Sequence, residues 1–424
     1  LELSLVSVAD RSIRALETFT DPALFPGNCI ISPDGLYVAY SRPAKKGAPV
    51  RDVFLLAVDA SRESALIQHP ADDYLLGWLP EGRGILFASD RTASTDAWTM
   101  QVDKGRPQGV PVLVRRNIGA VQAVGITKGG SLYYATAGSI RHIYTATLDP
   151  NTGGVFGSPK KESLPYEGSN LMPAWSPDGK YLAYFSIRDP YRRYMNPVCI
   201  YSPATGKVRE LIFERNLAYP RWAPDGRCLY VQAAVESGQG IYRIDVQSET
   251  ATQFLKSIEN ETLHSIQVSP DQRWIVYGRD STKDKSFRIL VREMKIGQEK
   301  EIDRTSLGNN SIALSPDGKQ LAMVLRTESD LRVLKVMSFP NGTPREILKF
   351  KQSGGWIIDI AWSRDGRFIY FSNGPSNGPQ WHLQRVRVEG GDAEDLGLVM
   401  PRFENISVHP DGQRITFASF PPSR

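Results

Sequence analysis

Short apolar runs separated by polar turns follow one another along the whole chain, and one turn recurs with small changes. It appears as "AWSPDGKYLAYFS" at 174–186, as "RWAPDGRCLYVQA" at 221–233 and as "AWSRDGRFIYFSN" at 361–373. Pro fixes the first corner, Asp can accept a bond from the backbone just ahead, and Gly accepts the positive φ that closes the turn. The flanking runs are rich in Val, Ile, Leu and Tyr, so each copy predicts an antiparallel β-hairpin.

Nine copies of this turn follow one another at steps of 46 to 49 residues. A constant period of this size is the signature of a repeat architecture. The copies begin at Ser32, Leu79, Thr127, Ser176, Ala223, Ser269, Ser315, Ser363 and His409.

Each repeat predicts four strands. After the hairpin comes a third run such as "DVFLLAVD" or "HIYTATLD", then a polar turn and a short fourth run such as "VRELIF". Four antiparallel strands in roughly 45 residues is the blade of a β-propeller. The fold class is therefore all-β, and helix signals are almost absent.

The two ends of the chain predict how the ring closes. Residues 1–20 have the pattern of third and fourth strands, and residues 404–424 have that of first and second strands. We therefore expect one domain over residues 1–424, a single propeller of nine four-stranded blades in which 1–20 and 404–424 share the closing blade. Ordinary propellers have about 4 to 8 blades, so eight is the alternative. A smaller ring would leave strand edges unpaired.

Composition adds few constraints. The formal charge of +5 is spread over 424 residues with no Lys/Arg block, so we expect no nucleic-acid partner. No run approaches the length of a membrane span, and the N-terminal residues lack the features of a signal peptide. The three cysteines, Cys29, Cys199 and Cys228, lack metal-site spacing, and we expect buried thiols in strands. No cofactor or metal is expected.

The repeat resembles the TolB-like, Pro-Asp-Gly family of propellers related to the WD repeats. "SPDGKYLAYFS", "SPDGLYVAYSR" and "SPDGKQLAM" match its core, and "FASDRTASTDAWTMQVD" matches its second-to-third strand passage. The resemblance covers essentially the whole chain and is closest to the long periplasmic or secreted propeller proteins of soil bacteria. It implies a periplasmic or secreted location. Family members include binding proteins and the propeller halves of prolyl peptidases, so the resemblance implies a fold more than a function.

Catalytic motifs are absent from the sequence: there is no GxSxG elbow, no HExxH, no phosphate-binding GxxxxGK[ST] and no dinucleotide GxGxxG. The Asp that recurs in the turns indicates turn capping rather than catalysis. Trp175, Trp222 and Trp362 share one position before the turn, which indicates packing between blades. His409 replaces the turn Ser and is expected to be structural.

We expect a monomeric, non-catalytic binding or scaffold propeller that recognises a protein, peptide or glycan. A hydrolase or lyase acting in the central channel without a familiar motif is the alternative, and a sensor domain is a third possibility. The first strand of each blade lines the axis of a propeller, so the binding residues are expected just ahead of it. They are Asp73, Asn170, Tyr219, His264, Asn310, Trp356 and Arg402.

Overall fold

The computed structural model describes an all-β chain of 36 strands. It describes residues 1–424 except 22–23, 46–47, 49, 93–94, 117, 120, 137–139, 150–151, 166–168, 188–195, 212, 214–215, 236–237, 259, 307–309, 328–330, 352–358, 375–379 and 422–424. Among the described residues, helix is confined to short 3-10 turns such as Pro80–Gly82. No described helix has the length and apolar character needed to cross a membrane.

The chain divides into two compact units, and each is described by itself. Unit 1 comprises residues 1–138 and 165–167, and unit 2 comprises residues 139–164 and 168–424.

Unit 1 contains two four-stranded and two two-stranded antiparallel sheets among its described residues. Their strands are β1 (Glu2–Val6) and β2 (Ile13–Thr18); β3 (Cys29–Ile31), β4 (Tyr37–Pro43), β5 (Arg51–Ala57) and β6 (Glu63–Ile67); β7 (Asp73–Trp78), β8 (Gly84–Ser89), β9 (Asp96–Asp103) and β10 (Arg106–Arg115); β11 (Val121–Ile126) and β12 (Leu132–Thr136).

The four sheets of unit 1 pack side by side in chain order. Apolar side chains of β2 pack on those of β4 and β5, and Leu16 meets Tyr40 there. Trp78 of β7 donates its indole N–H to the carbonyl of Ile30 in β3, at 3.1 Å. Val121 of β11 packs in one cluster with residues of β7 and β8. Each sheet thus covers the apolar face of the next.

The described residues of unit 2 form six four-stranded antiparallel sheets. Their strands are β13 (His142–Leu148) and β14 (Val155–Lys161) with β35 (Glu404–Val408) and β36 (Arg414–Ser419); β15 (Ser169–Trp175), β16 (Leu182–Ile187), β17 (Val198–Ser202) and β18 (Lys207–Leu211); β19 (Asn216–Trp222), β20 (Cys228–Val235), β21 (Gly238–Asp245) and β22 (Ala251–Lys256); β23 (Glu261–Val268), β24 (Trp274–Ser281), β25 (Ser286–Glu293) and β26 (Glu299–Ser306); β27 (Ser311–Leu314), β28 (Gln320–Arg326), β29 (Leu331–Ser338) and β30 (Arg345–Lys351); β31 (Ile360–Trp362), β32 (Phe368–Asn373), β33 (Trp381–Arg387) and β34 (Glu394–Met400).

The first strands of these six sheets contact one another in cyclic order: β15 with β19, β19 with β23, β23 with β27, β27 with β31, β31 with β35, and β35 with β15. The three tryptophans predicted to pack between blades do so. Trp222 and Trp362 donate their indole N–H groups to carbonyls of the preceding sheet at 3.0 and 2.8 Å, and Trp175 donates to Thr416 Oγ1 at 2.9 Å. The interior therefore lies between neighbouring sheets, and a buried hydrogen bond supplements the apolar contact.

The nine predicted turns all connect a first strand to a second strand, so this prediction is confirmed. At 176–179 the Ser176 hydroxyl donates to Asp178 Oδ1 at 2.6 Å, and the Gly179 N–H donates to the Ser176 carbonyl at 2.9 Å. Gly179 has φ +70°, in the left-handed region that favours glycine. Cys199 and Cys228 are buried thiols in strands, as predicted, and Cys29 is a half-buried one.

The predicted closing blade is wrong. Strand β36 pairs with β13, so that residues 404–424 complete a sheet with residues 142–161, whereas residues 1–20 contribute only the two-stranded sheet β1–β2. The physical reason is that all third strands share one pattern, so any of them can satisfy the open edge of β36. The nine-bladed ring that depends on this closing blade is therefore not formed. The alternative number, eight, equals the number of four-stranded sheets, but only six of these belong to unit 2.

Candidate functional site

Three of the residues predicted to bind a ligand, Asp73, Asn170 and Asn310, make polar contacts within their own sheets. Asn170 Oδ1 accepts from the Ser186 hydroxyl at 2.9 Å, and Asn310 Oδ1 accepts from the Arg326 backbone N–H at 3.0 Å. Each bond joins the start of a first strand to the end of the second strand. Both amide side chains are buried, and the hydrogen bonds satisfy groups that burial would otherwise leave without water.

Asp73 has the same place in unit 1. It is fully buried, and Arg91 Nη2 lies 2.9 Å from its Oδ1. Burial raises the pKa of Asp73, although hydrogen bonds from Ser89 and Arg91 act in the opposite direction. Because it lies in unit 1, Asp73 is in a different unit from the other predicted residues that the structure describes, all of which lie in unit 2.

The other four predicted residues are Tyr219, Arg402, His264 and Trp356. Tyr219 and Arg402 belong to the polar cluster of unit 2 described below. His264 lies in β23, and its side chain is outside the described part of the structure. Trp356 lies outside the described residues.

The site of unit 2 is built from six structurally equivalent positions, each four residues before the start of a repeated turn. They follow one another at the steps of the turns themselves, 47, 46, 46, 48 and 46 residues. We call them the first-strand ring, because each lies in or just before the first strand of its sheet: Met172, Tyr219, Ser265, Ser311, Asp359 and Asn405.

Four of the six have positive φ although none is glycine. The values are +57° at Met172, +52° at Tyr219, +56° at Ser265 and +56° at Asn405. In all four first strands the register shifts at this point, which marks a β-bulge. Bulges re-aim side chains and often lie next to functional sites, and left-handed non-glycine residues cost energy that the surrounding structure must supply.

Hydrogen bonds connect members of the ring from sheet to sheet. The Tyr219 backbone N–H lies 3.1 Å from the Met172 sulfur, and the Met172 N–H donates to Asn405 Oδ1 at 3.2 Å. Asn405 Nδ2 in turn donates to Asp359 Oδ2 at 2.8 Å. Four neighbouring sheets are joined in this way.

Asp359 is the acceptor at the centre of this path. Its second oxygen, Oδ1, accepts from the Ser311 hydroxyl at 3.2 Å. The Ser265 hydroxyl lies 3.5 Å from the carbonyl oxygen of Asn310, which extends the path to the sixth sheet. Both Asp359 oxygens thus have protein donors, and the carboxylate is held in one orientation by two different sheets.

Tyr219 presents a phenol to this cluster. Burial raises the pKa of Tyr219 to about 12; the carboxylates of Asp359 and Glu404 add to the shift, and Arg221 opposes it. The hydroxyl is therefore protonated near neutral pH and can donate a hydrogen bond. None of the described residues forms a hydrogen bond with the Tyr219 hydroxyl.

An ion cluster stands beside the ring. Glu404 Oε2 lies 2.8 Å from Arg141 Nε, and its Oε1 lies 2.9 Å from Arg402 Nε. Both guanidinium groups also lie over the ring of Phe420, at 4.9 and 5.9 Å from its centroid. Two positive charges around one carboxylate leave the cluster with a net positive charge. Burial lowers the pKa of Arg402, and Glu404 opposes that shift.

The ring positions are evenly spaced in the sequence, but no residue type marks which position before the turn points to the site. The predicted residues were taken at four to seven positions before the turn, and only Tyr219 lies at the ring position. Counting a fixed four residues back from each turn selects the ring. Among the described residues, no three His, Cys, Asp or Glu side chains are grouped as metal ligands would be. The arrangement can offer directed hydrogen bonds, an aromatic face and positive charge.

No family model matches the chain, and no curated protein matches it. Solved structures do resemble it. A putative TolB from Agrobacterium tumefaciens has a TM-score of 0.51 and 18% identity, covering 68% of this chain and all of that one. TolB from Acinetobacter baumannii has a TM-score of 0.45 and 17% identity over 79% of each chain.

An oligogalacturonate lyase from Vibrio parahaemolyticus has a TM-score of 0.39 and 12% identity, over 67% of this chain and 99% of that one. Similarity at this level carries no argument about activity. The Agrobacterium structure supports the fold alone. The chain has a TolB-like β-propeller fold.

Proposed function

We propose that unit 2 is a closed six-bladed propeller and that it binds a polar ligand, a peptide segment or a sugar, at the first-strand ring without transforming it. The single observation that carries this proposal is the hydrogen-bonded path through the ring. It spans six sheets, with side-chain atoms from five ring residues of mostly different chemistry and the backbone N–H of Tyr219. A purely structural ring would repeat one side chain, as the turn aspartates do. Unlike side chains at equivalent positions favour recognition.

Tyr219 is the main contact residue in this proposal. Its protonated hydroxyl has no described protein partner, and its backbone is held at φ +52°. A tyrosine supplies a flat apolar face and one directed hydrogen bond, which suits the hydroxyls of a sugar or the amides of a peptide.

The Arg141–Glu404–Arg402 cluster adds two positive charges beside the ring, and the carboxylates of Glu404 and Asp359 balance them, so we expect a polar ligand rather than one of a particular net charge. A hydrolase or lyase is disfavoured by the same residues. A phenol with a pKa of about 12 is almost wholly protonated at neutral pH, so very little phenolate is available to act as a general base. Both oxygens of Asp359 are already occupied by Asn405 and Ser311. The periplasmic or secreted location remains a proposal that rests on the family resemblance.

The test is a screen of the purified chain against a displayed peptide library and a glycan array, followed by titration of each hit. Tyr219→Phe removes only the hydroxyl, and Asp359→Asn removes the charge and replaces one of the two acceptor oxygens by a donor. We expect Tyr219→Phe to weaken binding about 5- to 150-fold, because leaving a desolvated ligand group without its partner costs about 1–3 kcal/mol. We expect Asp359→Asn to weaken binding indirectly, because the amide cannot accept from both Asn405 and Ser311 as the carboxylate does.

The matched controls are Tyr181→Phe and Asp392→Asn. Tyr181 is 42% exposed on a turn of unit 2, and Asp392 is exposed in a loop. Hits that bind the two control variants and the two ring variants equally well would place the ligand elsewhere and refute the proposal. Turnover of a hit would favour the enzyme alternative.

A further inference from the structure

The outer half of sheet β7–β10 lacks the cover that the corresponding half of the preceding sheet has. In the preceding sheet, Leu66 of the fourth strand β6 is 4% exposed and lies in one cluster with Met100 of the third strand β9. On the fourth strand β10, by contrast, Val112 is 59% and Val114 56% exposed. A third strand from the next sheet therefore covers β6, whereas no described strand takes that place over β10.

The next sheet, β11–β12, stops at the place where its third strand would begin. One of its faces packs on β7 and β8, where Leu132 lies in one cluster with Leu86, and this cluster reaches Ala97 of β9. Val112 lies opposite Thr99, which is on the same face of β9 as Ala97, so the uncovered valine continues the packed face outward. Within the described part of the chain β12 pairs only with β11. The outer edge of β12 thus presents unpaired backbone groups beside an uncovered apolar face.

We call the space between the outer edge of β12 and the exposed valines of β10 the strand groove. Two cationic side chains lie at each end of β10: Lys104, Arg106, Arg115 and Arg116. All four are exposed, and no described carboxylate forms an ion pair with any of them. Of the two carboxylates on β9, Asp96 is buried and accepts from the Thr92 hydroxyl, so only Asp103 offsets these charges. The groove therefore carries a surplus of positive charge at its ends.

We propose that the strand groove binds an extended segment of another protein, which pairs with β12 and takes the place of a third strand. The edge of β12 supplies backbone hydrogen bonds, as in other cases of β-strand addition, and Val112 and Val114 contact every second side chain of the segment. The four cations favour a segment with acidic residues at its two ends. The partner is thus a strand of alternating apolar residues between carboxylates.

The third strands of this chain have the required chemistry. Strand β9, with the sequence "DAWTMQVD", places Met100 in a cluster with the fourth strand of the preceding sheet and has Asp96 and Asp103 at its ends. A synthetic peptide of residues 96–103 is therefore the probe. In the control peptide, lysine replaces both aspartates.

The first measurement is the fluorescence anisotropy of the labelled peptide as the full chain is added. We expect saturable binding, and at least about tenfold weaker binding of the lysine peptide, because its ends repel the four cations. Added salt should weaken binding of the acidic peptide, because the charges are exposed to solvent. Equal affinity for the two peptides would contradict the proposed partner chemistry.

Backbone methylation tests the strand geometry. Successive residues of a strand direct their N–H groups to opposite edges, and only one edge of the bound peptide meets β12. Two versions of the peptide, N-methylated at the odd or at the even residues, should therefore differ: one loses binding and the other keeps it. Equal effects of the two methylation patterns would show that the peptide does not add as a strand.

Variants of the full chain locate the site. Val112→Asn removes an apolar contact, and we expect it to weaken binding at least about fivefold. The double variant Arg106→Gln with Arg115→Gln should reduce the preference for the acidic peptide at least about threefold. All three side chains are exposed, so these changes leave folding intact. Val399→Asn is the matched control and should leave binding unchanged, because Val399 is 44% exposed on β34, a fourth strand of unit 2.

Two further results would overturn the proposal. Absence of saturable binding up to the solubility limit of the peptide would mean that the groove does not accept an extended strand. A dimer of twice 47.2 kDa in light scattering that Val112→Asn dissociates would mean that a second copy of the chain covers the groove.

Discussion

Two turn glycines of unit 2 share the same backbone conformation and differ in what surrounds them, which allows the energy of one contact to be isolated. Gly179 has φ +70° and Gly366 has φ +69°. A Cβ on Gly366 would meet nothing within 4 Å, whereas a Cβ on Gly179 would lie 2.6 Å from the ring of His409. Alanine at either position pays for the left-handed conformation, and only Gly179→Ala also displaces the histidine.

His409 has little room to move. Its Nε2 donates to the Gly179 carbonyl at 3.0 Å, its Nδ1 accepts from the Asp411 N–H at 3.1 Å, and its ring meets Trp175 edge-on at 4.6 Å. This confirms the structural role predicted for His409. The contact joins two sheets of unit 2, because His409 follows β35 and Gly179 precedes β16.

The magnitudes follow from these contacts. The left-handed conformation costs a non-glycine residue about 1–2 kcal/mol. Displacing His409 loses one hydrogen bond, about 0.5–1.5 kcal/mol, and one aromatic contact of about 0.5–1.5 kcal/mol. We therefore expect Gly366→Ala to lower the free energy of unfolding by about 1–2 kcal/mol and Gly179→Ala by about 2–5 kcal/mol.

Urea unfolding followed by tryptophan fluorescence measures both variants on the same unit. Equal losses for the two variants would show that the His409 contact contributes nothing. No loss in either variant would show that the turn is not left-handed, and would refute the reasoning from the turn geometry.

Two further predictions concern the interior and the turns. Trp362→Phe removes the indole N–H that donates to the Ala313 carbonyl and leaves that buried acceptor unpaired. The free energy of unfolding should therefore fall by about 1–3 kcal/mol in the same urea assay. An unchanged urea midpoint would mean that this hydrogen bond is dispensable. The hydrogen bond from the Ser176 hydroxyl is the largest cause that lowers the pKa of Asp178 below 3.8 in the folded protein. The ionised Asp178 therefore stabilises the fold fully above pH 3.8, and this stabilisation is lost as the pH falls through the lower folded-state pKa. Ser176→Ala should therefore reduce the loss of melting temperature between neutral and acid pH, and an identical pH profile for both proteins would contradict this.

Features with a local cause could be predicted from the sequence. The turns need Gly and Asp at fixed places, so all nine were found with their flanking strands. The tryptophans before the turns were recognised as packing residues because they occupy one position in several repeats, and the cysteines because they lack partners at metal-site spacing.

Features that depend on distant partners could not be predicted. The edge of β36 accepts any third strand, and the repeat gives every third strand the same pattern, so the sequence does not distinguish β13 from β1. The ring position was missed for a related reason. Met172, Tyr219 and Ser265 adopt positive φ without being glycine, so no residue type announces the bulge that re-aims them.

The pairing of β13 with β36 is the most direct test of the account, because the first strands of unit 2 form a cycle only if residues 404–419 and 142–161 share a sheet. Thr145 and Thr416 lie opposite each other there, with their hydroxyl oxygens 2.9 Å apart. By the register of sheet β3–β6, Leu5 would take the place of Thr145 if the N-terminal hairpin closed the ring.

Two double variants decide between these pairings: Thr145→Cys with Thr416→Cys, and Leu5→Cys with Thr416→Cys. After oxidation, each protein is digested without reduction and its disulfides are identified by mass spectrometry. The account predicts a cross-link within one chain between positions 145 and 416, and none between 5 and 416. A cross-link at 5 and 416 in the second variant, with 145 and 416 left as free thiols in the first, would contradict the six-sheet cycle and the site that is built on it.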